Sequence, residues 1–131
     1  MKKFIYVAVM AIAVVFASCK SESNSSEYYK NHELQIDINA GTVNGVEYDN
    51  TTDKCWKTTI TTKTFGISST VVDYEWGTQF SVVAGCETAM AAVYAVKAIG
   101  NSKATYTCVE APEYDTYEKC ADAHAAATAN D

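Results

Sequence analysis

The sequence predicts an α+β domain: a small, mainly antiparallel sheet with two helices on one face, in the order ββββαβα and stapled by disulfides. Three observations predict it. Segments between Leu34 and Trp76 alternate apolar and polar side chains, and an alanine-rich stretch without proline runs from Gln79 to Ile99. Four cysteines, Cys55, Cys86, Cys108 and Cys120, are spread over the same region. Strands grouped ahead of helices pack as two layers, with the helices covering one side of the sheet.

In order, Leu34, Ile36 and Ile38 alternate with Gln35 and Asp37 as a half-buried strand does. Val43-Asn44-Gly45-Val46 is a hairpin signal, since Asn-Gly accepts the two positive φ angles of a type I′ turn. Trp56, Thr58, Ile60 and Thr62 alternate with Lys57, Thr59, Thr61 and Lys63 in a β-branched strand that Phe65-Gly66 breaks. Thr70, Val72, Tyr74 and Trp76 mark the next strand, and Gly77-Thr78 ends it. The helix from Gln79 to Ile99 stops at Gly100-Asn101. At about 100° per residue, Val82, Val83, Cys86, Met90, Val93 and Val96 share one face, which should cover the sheet. Glu87 and Lys97 inside it argue against a membrane span. Ala104 to Val109 forms a last strand. Pro112 then starts a helix carrying Glu113 and Asp115 in its first turn. The small residues Ala84, Thr88, Ala91 and Ala95 opposite the large face should either receive that helix through Tyr114, Tyr117 and Ala121, the favoured arrangement in so small a domain, or stay open for a partner.

Helix and strand rise rank the disulfide pairings. Cys86 lies 14 helical residues before Gly100, about 21 Å. Cys108 lies 8 extended residues after it, at most about 26 Å. The two are nearly level, so Cys86 is expected to join Cys108, leaving Cys55 for Cys120. Cys120 and His124 have the spacing of two metal ligands on one helix face, with Cys108 as a third candidate, yet no second His or CxxC accompanies them and oxidation competes for the thiols. Asp49-Asn50-Thr51-Thr52-Asp53 has oxygen donors at alternate positions, but Lys54 stands where a calcium loop needs glycine, so an Asx-rich turn is the simpler reading. No metal or cofactor is expected. His32, His124 and the scattered serines form no catalytic pattern, and there is no GxSxG elbow or glycine-rich phosphate loop. The chain reads as non-enzymatic.

The 131 residues hold 10 lysines, no arginine and 16 acidic residues, a formal charge of −6. That balance lacks the basic footprint of a nucleic-acid binder. Lys2 and Lys3 precede the apolar run Phe4 to Ala17, 14 residues long, roughly 21 Å as a helix and short of a bilayer's hydrocarbon core. This is a signal-peptide pattern. Phe16-Ala17-Ser18-Cys19 then resembles the lipobox of bacterial lipoproteins, with Phe16 where that family usually has Leu. The resemblance implies that residues 1–18 are removed and Cys19 is lipidated, which takes the formal charge from −6 to −8 by loss of Lys2 and Lys3. Residues 20–32, KSESNSSEYYKNH, contain no aliphatic side chain, so residues 19–32 read as a flexible tether with a reach of roughly 20 Å. Residues 33–131 then make one domain. Lys20 after the lipidated position implies the outer membrane of a Gram-negative cell, and the Ser/Glu string is similar to the export tethers of Bacteroidota surface lipoproteins.

Two functional readings follow. In the first, the chain is a small binding or structural module of the cell envelope, held to the membrane by its N-terminal lipid and presenting aromatic residues to a protein partner. In the second, it is an inhibitor or immunity-type lipoprotein whose negative charge neutralises a basic toxin or hydrolase.

Overall fold

The computed structural model describes residues 25–100 and 102–129. The expected signal peptide and Cys19 lie outside them. A 3-10 turn at Ser26–Lys30 is followed by β1 (Ile36–Asp37), β2 (Thr42–Val43), β3 (Val46–Glu47), β4 (Lys54–Thr64), β5 (Ile67–Gly77), α1 (Gln79–Gly100), β6 (Ser102–Glu110) and α2 (Tyr117–Thr128). The strands form two antiparallel three-stranded sheets, in the orders β1-β2-β3 and β5-β4-β6. The class is α+β, as expected. The strand alternation is divided between two sheets.

β4 is the centre of the larger sheet. All 11 of its residues pair with β5, and nine of them, from Trp56 to Thr64, also pair with β6. Its run of Thr, Ile and Trp suits a strand paired on both edges. On one face Trp56, Ile60, Ala104, Tyr106 and Cys108 pack beneath α1, against Val83, Cys86 and Met90. Cys55, one residue before Trp56, belongs to a second cluster with Ala111, Cys120, Tyr74, Trp76 and Tyr114. Successive strand residues point to opposite faces. The helices therefore cover opposite faces of this sheet, and the expectation of both on one face is corrected. α1 already fills its side, where Val83 and Met90 are fully buried, so α2 is left to cover Tyr74 and Trp76 on the other.

The expected docking of α2 on the small-residue stripe of α1 is corrected for the same reason. Ala84 and Ala91 pack at the margin of the core, while Thr88 and Ala95 are exposed. α2 begins later than Pro112. The proline sits in a turn closed by Tyr114 N–H donating to Ala111 O at 3.1 Å, and Thr116 caps the helix by accepting from Lys119 N–H. The strand expected around Leu34 to Ile38 shrinks to Ile36–Asp37, because Asp37 turns the chain: its carbonyl accepts from Gly41 N–H and its carboxylate from Ala40 N–H. The Asn44-Gly45 turn forms as expected, with φ of 53° and 82°.

The domain boundary also moves. Residues 25–30, expected as tether, are built into the fold. Ser25 bridges Thr105 at the free edge of β6, Ser26 Oγ accepts from Ala104 N–H at 2.9 Å, and Tyr29 is buried in the main core. Composition hid this, because one aromatic ring and one hydroxyl do what an aliphatic face ordinarily does. A domain truncated to begin at Glu33 should lose about 3 kcal/mol or more of unfolding free energy relative to one beginning at Lys20, on the scale of deleting a buried aromatic side chain. Urea denaturation of the two forms measures it.

Candidate functional site

Two side-chain constellations could carry chemistry, one sealed inside the domain and one at its surface. The sealed one centres on Glu87, in the middle of α1 and 1 % exposed. Its Oε1 accepts from Tyr29 Oη at 2.5 Å and its Oε2 from Tyr106 Oη at 2.7 Å. Asn44 Nδ2 donates to Tyr29 Oη at 2.8 Å and reaches Glu87 Oε1 at 3.5 Å. Burial, reinforced by the bond to Glu87, pushes the Tyr29 phenol upward, so Tyr29 keeps its proton and serves as a donor. The site joins four parts of the chain: the 3-10 turn, the β2–β3 turn, α1 and β6. A substrate has no access to a carboxylate so enclosed, and its work is to fix structure. In the sequence Glu87 stands out only as a charge that argues against a membrane span. Its place within about 40° of Val83 around the helix was the signal that it faces inward. The helix is long and apolar enough to cross a membrane by composition; here it packs on β6 and the 3-10 turn.

Cys55 and Cys120 are bonded, with Cα atoms 5.6 Å apart. The bond fastens the start of β4 to the first turn of α2, as expected. Cys86 and Cys108 are buried in the main core without a disulfide between them, and the expected bond is corrected. Level positions along the axis do not suffice: packed layers stand roughly 10 Å apart. Subtracting a helix radius of about 2.3 Å still leaves more than the Cα separation a disulfide spans.

The surface constellation lies at the outer edge of β5. His124 Nδ1 meets Asp73 Oδ1 at 2.7 Å, and the same carboxylate oxygen accepts from Tyr74 N–H at 2.7 Å. Glu75 completes a trio whose ligand atoms lie within 4.8 Å of one another. The Asp73 carboxylate, by hydrogen bond and charge, raises the His124 imidazole above its ordinary range. Partial burial, then the charge of Asp73, raises Glu75. The trio can hold a proton on His124 against the Asp73 carboxylate or draw a cation. It also closes an edge: Asp73 occupies the outward N–H of Tyr74, which would otherwise be open to another strand. His124 thus finds a carboxylate as its partner, while Cys120 is consumed by the disulfide and Cys108 lies on the opposite face. In the Asp49–Asp53 segment, Asp49 Oδ1 accepts from Thr51 N–H and Thr51 Oγ1 and is lowered by those bonds, which is an Asx turn.

The chain matches no protein-family model, no curated protein and no solved structure. Its chemistry therefore has to be read from these residues alone.

Two expectations follow from the geometry. Thiol titration of a domain beginning at Lys20, unfolded without reductant, should find two thiols, from Cys86 and Cys108. Cys55→Ala with Cys120→Ala should cost about 4 kcal/mol, the loop-entropy value for a sequence separation of 65. The second concerns pH. The folded-state pKa of His124 is raised, so the stability of its pairing with Asp73 is complete below the unfolded-state value near 6.5 and fades as pH rises through the folded value. An NMR titration of His124 should show a midpoint above that of an unperturbed imidazole, returning toward it in Asp73→Asn.

Proposed function

We propose that this chain is a lipid-anchored, non-enzymatic binding module of a bacterial cell envelope, held at the membrane through Cys19. The observation that carries the reading is the N-terminal pattern of Lys2, Lys3, the apolar run Phe4 to Ala17 and Cys19, which comes six positions before Ser25, the first residue the structure describes. A signal peptide leading straight into a folded, disulfide-bonded domain is the organisation an exported, anchored protein needs. The Cys55–Cys120 bond suits an oxidising compartment outside the cytoplasm, and Lys20 favours the outer membrane. The polar constellations support binding over catalysis, since one is enclosed and the other is an edge-closing pair.

A specific feature also favours the second reading, an inhibitor or immunity-type lipoprotein. Asp49, Asp53, Glu110, Glu113 and Asp115 lie in the segments that lead into β4 and out of β6, where Lys54 pairs with Glu110 and Lys119 with Asp115 and the other three have no lysine partner among the described residues. These segments can steer a basic toxin or hydrolase toward them, with an association rate that falls as salt rises. Both readings share the anchor. In a lipoprotein-exporting bacterium the intact chain should take up a palmitate analogue and partition into detergent, and Cys19→Ala should abolish both.

A further inference from the structure

β5 is the outer strand of the main sheet, and α2 is fastened along its second half. Tyr74 and Trp76 point to the face that α2 covers, where Tyr114 and Tyr117 meet their rings edge-on with centroids 5.2 and 6.4 Å apart. Alternation keeps Asp73 and Glu75 out of that packing, so Asp73 is half-buried and Glu75 exposed at the strand's outer edge. His124 reaches them from α2. Cys120, one turn earlier on the same side of the helix, is bonded to Cys55, which pairs with Trp76 in the register of β4 and β5. A covalent bond thus fixes the helix next to the imidazole, and Tyr74 N–H fixes Asp73 Oδ1 at 2.7 Å.

Among the described residues this is the one place where three side chains able to ligate a metal converge, with all their ligand atoms within 4.8 Å of one another. Charge is left over in the group. One imidazolium balances one of the two carboxylates, and among the described residues neither carboxylate pairs with a lysine. A divalent cation held by two carboxylates and a neutral imidazole balances both. The donor set suits such an ion, since imidazole nitrogen and carboxylate oxygen are ordinary zinc ligands at about 2.0 to 2.2 Å. Two atoms bound to one ion at that distance stand roughly 3 to 4 Å apart. The Nδ1–Oδ1 pair, now at 2.7 Å, has only to open slightly, and Glu75 has to swing inward, which an exposed glutamate can do. Water fills the coordination positions that three protein ligands leave.

We infer that Asp73, Glu75 and His124 form a binding site for a divalent metal ion of the zinc class, which ties α2 to the outer edge of β5. Imidazole nitrogen is the donor that favours zinc and its neighbours over calcium and magnesium, which prefer all-oxygen sites. The ion acts as a second fastening, one helical turn, about 6 Å, beyond the disulfide. Its ligands come from two elements that only folding brings together, so binding raises the stability of the folded chain by mass action. The site stands apart from the acylation of Cys19, and the failure of either leaves the other untouched.

Zinc chloride titrated into the isotope-labelled intact chain in detergent micelles, stripped of metal beforehand, tests this, with the His124 ring resonances and the thermal unfolding transition as readouts. The expected result is a saturable shift of the His124 ring, no shift of the His32 ring, and a rise in the transition temperature that a chelator reverses. Glu75→Gln is an exposed change that keeps the His124–Asp73 pair, and it should weaken zinc binding roughly tenfold or more. His124→Ala should remove the rise in transition temperature. A His124 ring unmoved by zinc in large excess, equal affinity in Glu75→Gln, or zinc drawn to His32 or to a cysteine in place of His124 would overturn the proposal.

Discussion

Glu87 places a carboxylate where water does not reach, and the rest of the architecture is arranged so that this can be tolerated. A buried charge without hydrogen bonds is strongly destabilising, and removing one partner of such a group costs more than the net worth of the interaction. Its partners arrive from the N-terminal turn, from β6 and, through Asn44, from the small sheet. The N-terminal turn and the small sheet follow one another in sequence, but β6 comes only after α1. An apolar side chain at position 87 could fill the same space, yet it would accept many arrangements of its surroundings. The carboxylate accepts those that bring both phenols to it. We read the site as the device that fixes how the small sheet and the N-terminal turn sit on the main body.

The long elements were legible because local signals and tertiary packing agreed. β4 and β5 are 11 residues long each and rich in β-branched and aromatic side chains, and α1 buries Val82, Val83, Cys86 and Met90 on one face. The turn at Asn44-Gly45 was legible for a stereochemical reason, since few residue pairs adopt two positive φ angles. What escaped were facts of the second layer. Which face α2 covers depends on how much of each face α1 has already taken, and no periodicity in residues 112–131 encodes that. Tyr29 was hidden in a polar composition. Glu87 was visible as a charge on a helix, but its partners lie 58 residues before it and 19 after it. Of the two expected disulfides, Cys55–Cys120, expected only as the pair left over, formed. The one argued from axial level across two layers did not, because level says nothing about separation.

The surface is divided along the long axis of the main sheet. At one end stand an aromatic turn and paired lysines; at the other, where Lys54 pairs with Glu110 at 3.3 Å, most neighbours are acidic. Between them, His124 and Asp73 close part of the β5 edge with a pH-sensitive pair, and α2 is held over that edge by its disulfide.

The two core cysteines outside the disulfide bear on how the chain acquires its covalent bond. A chain delivered N-terminus first presents Cys55, then Cys86, then Cys108, and only afterwards Cys120. An oxidant acting in order of appearance would join Cys55 to the wrong neighbour, since its proper partner emerges last. Correct pairing therefore requires either that α1 and β6 enclose Cys86 and Cys108 before oxidation catches them, or that an isomerase undo the early bond. Burial in the core acts here as a protecting group, withdrawing two of four reactive sulfurs until one pairing is left.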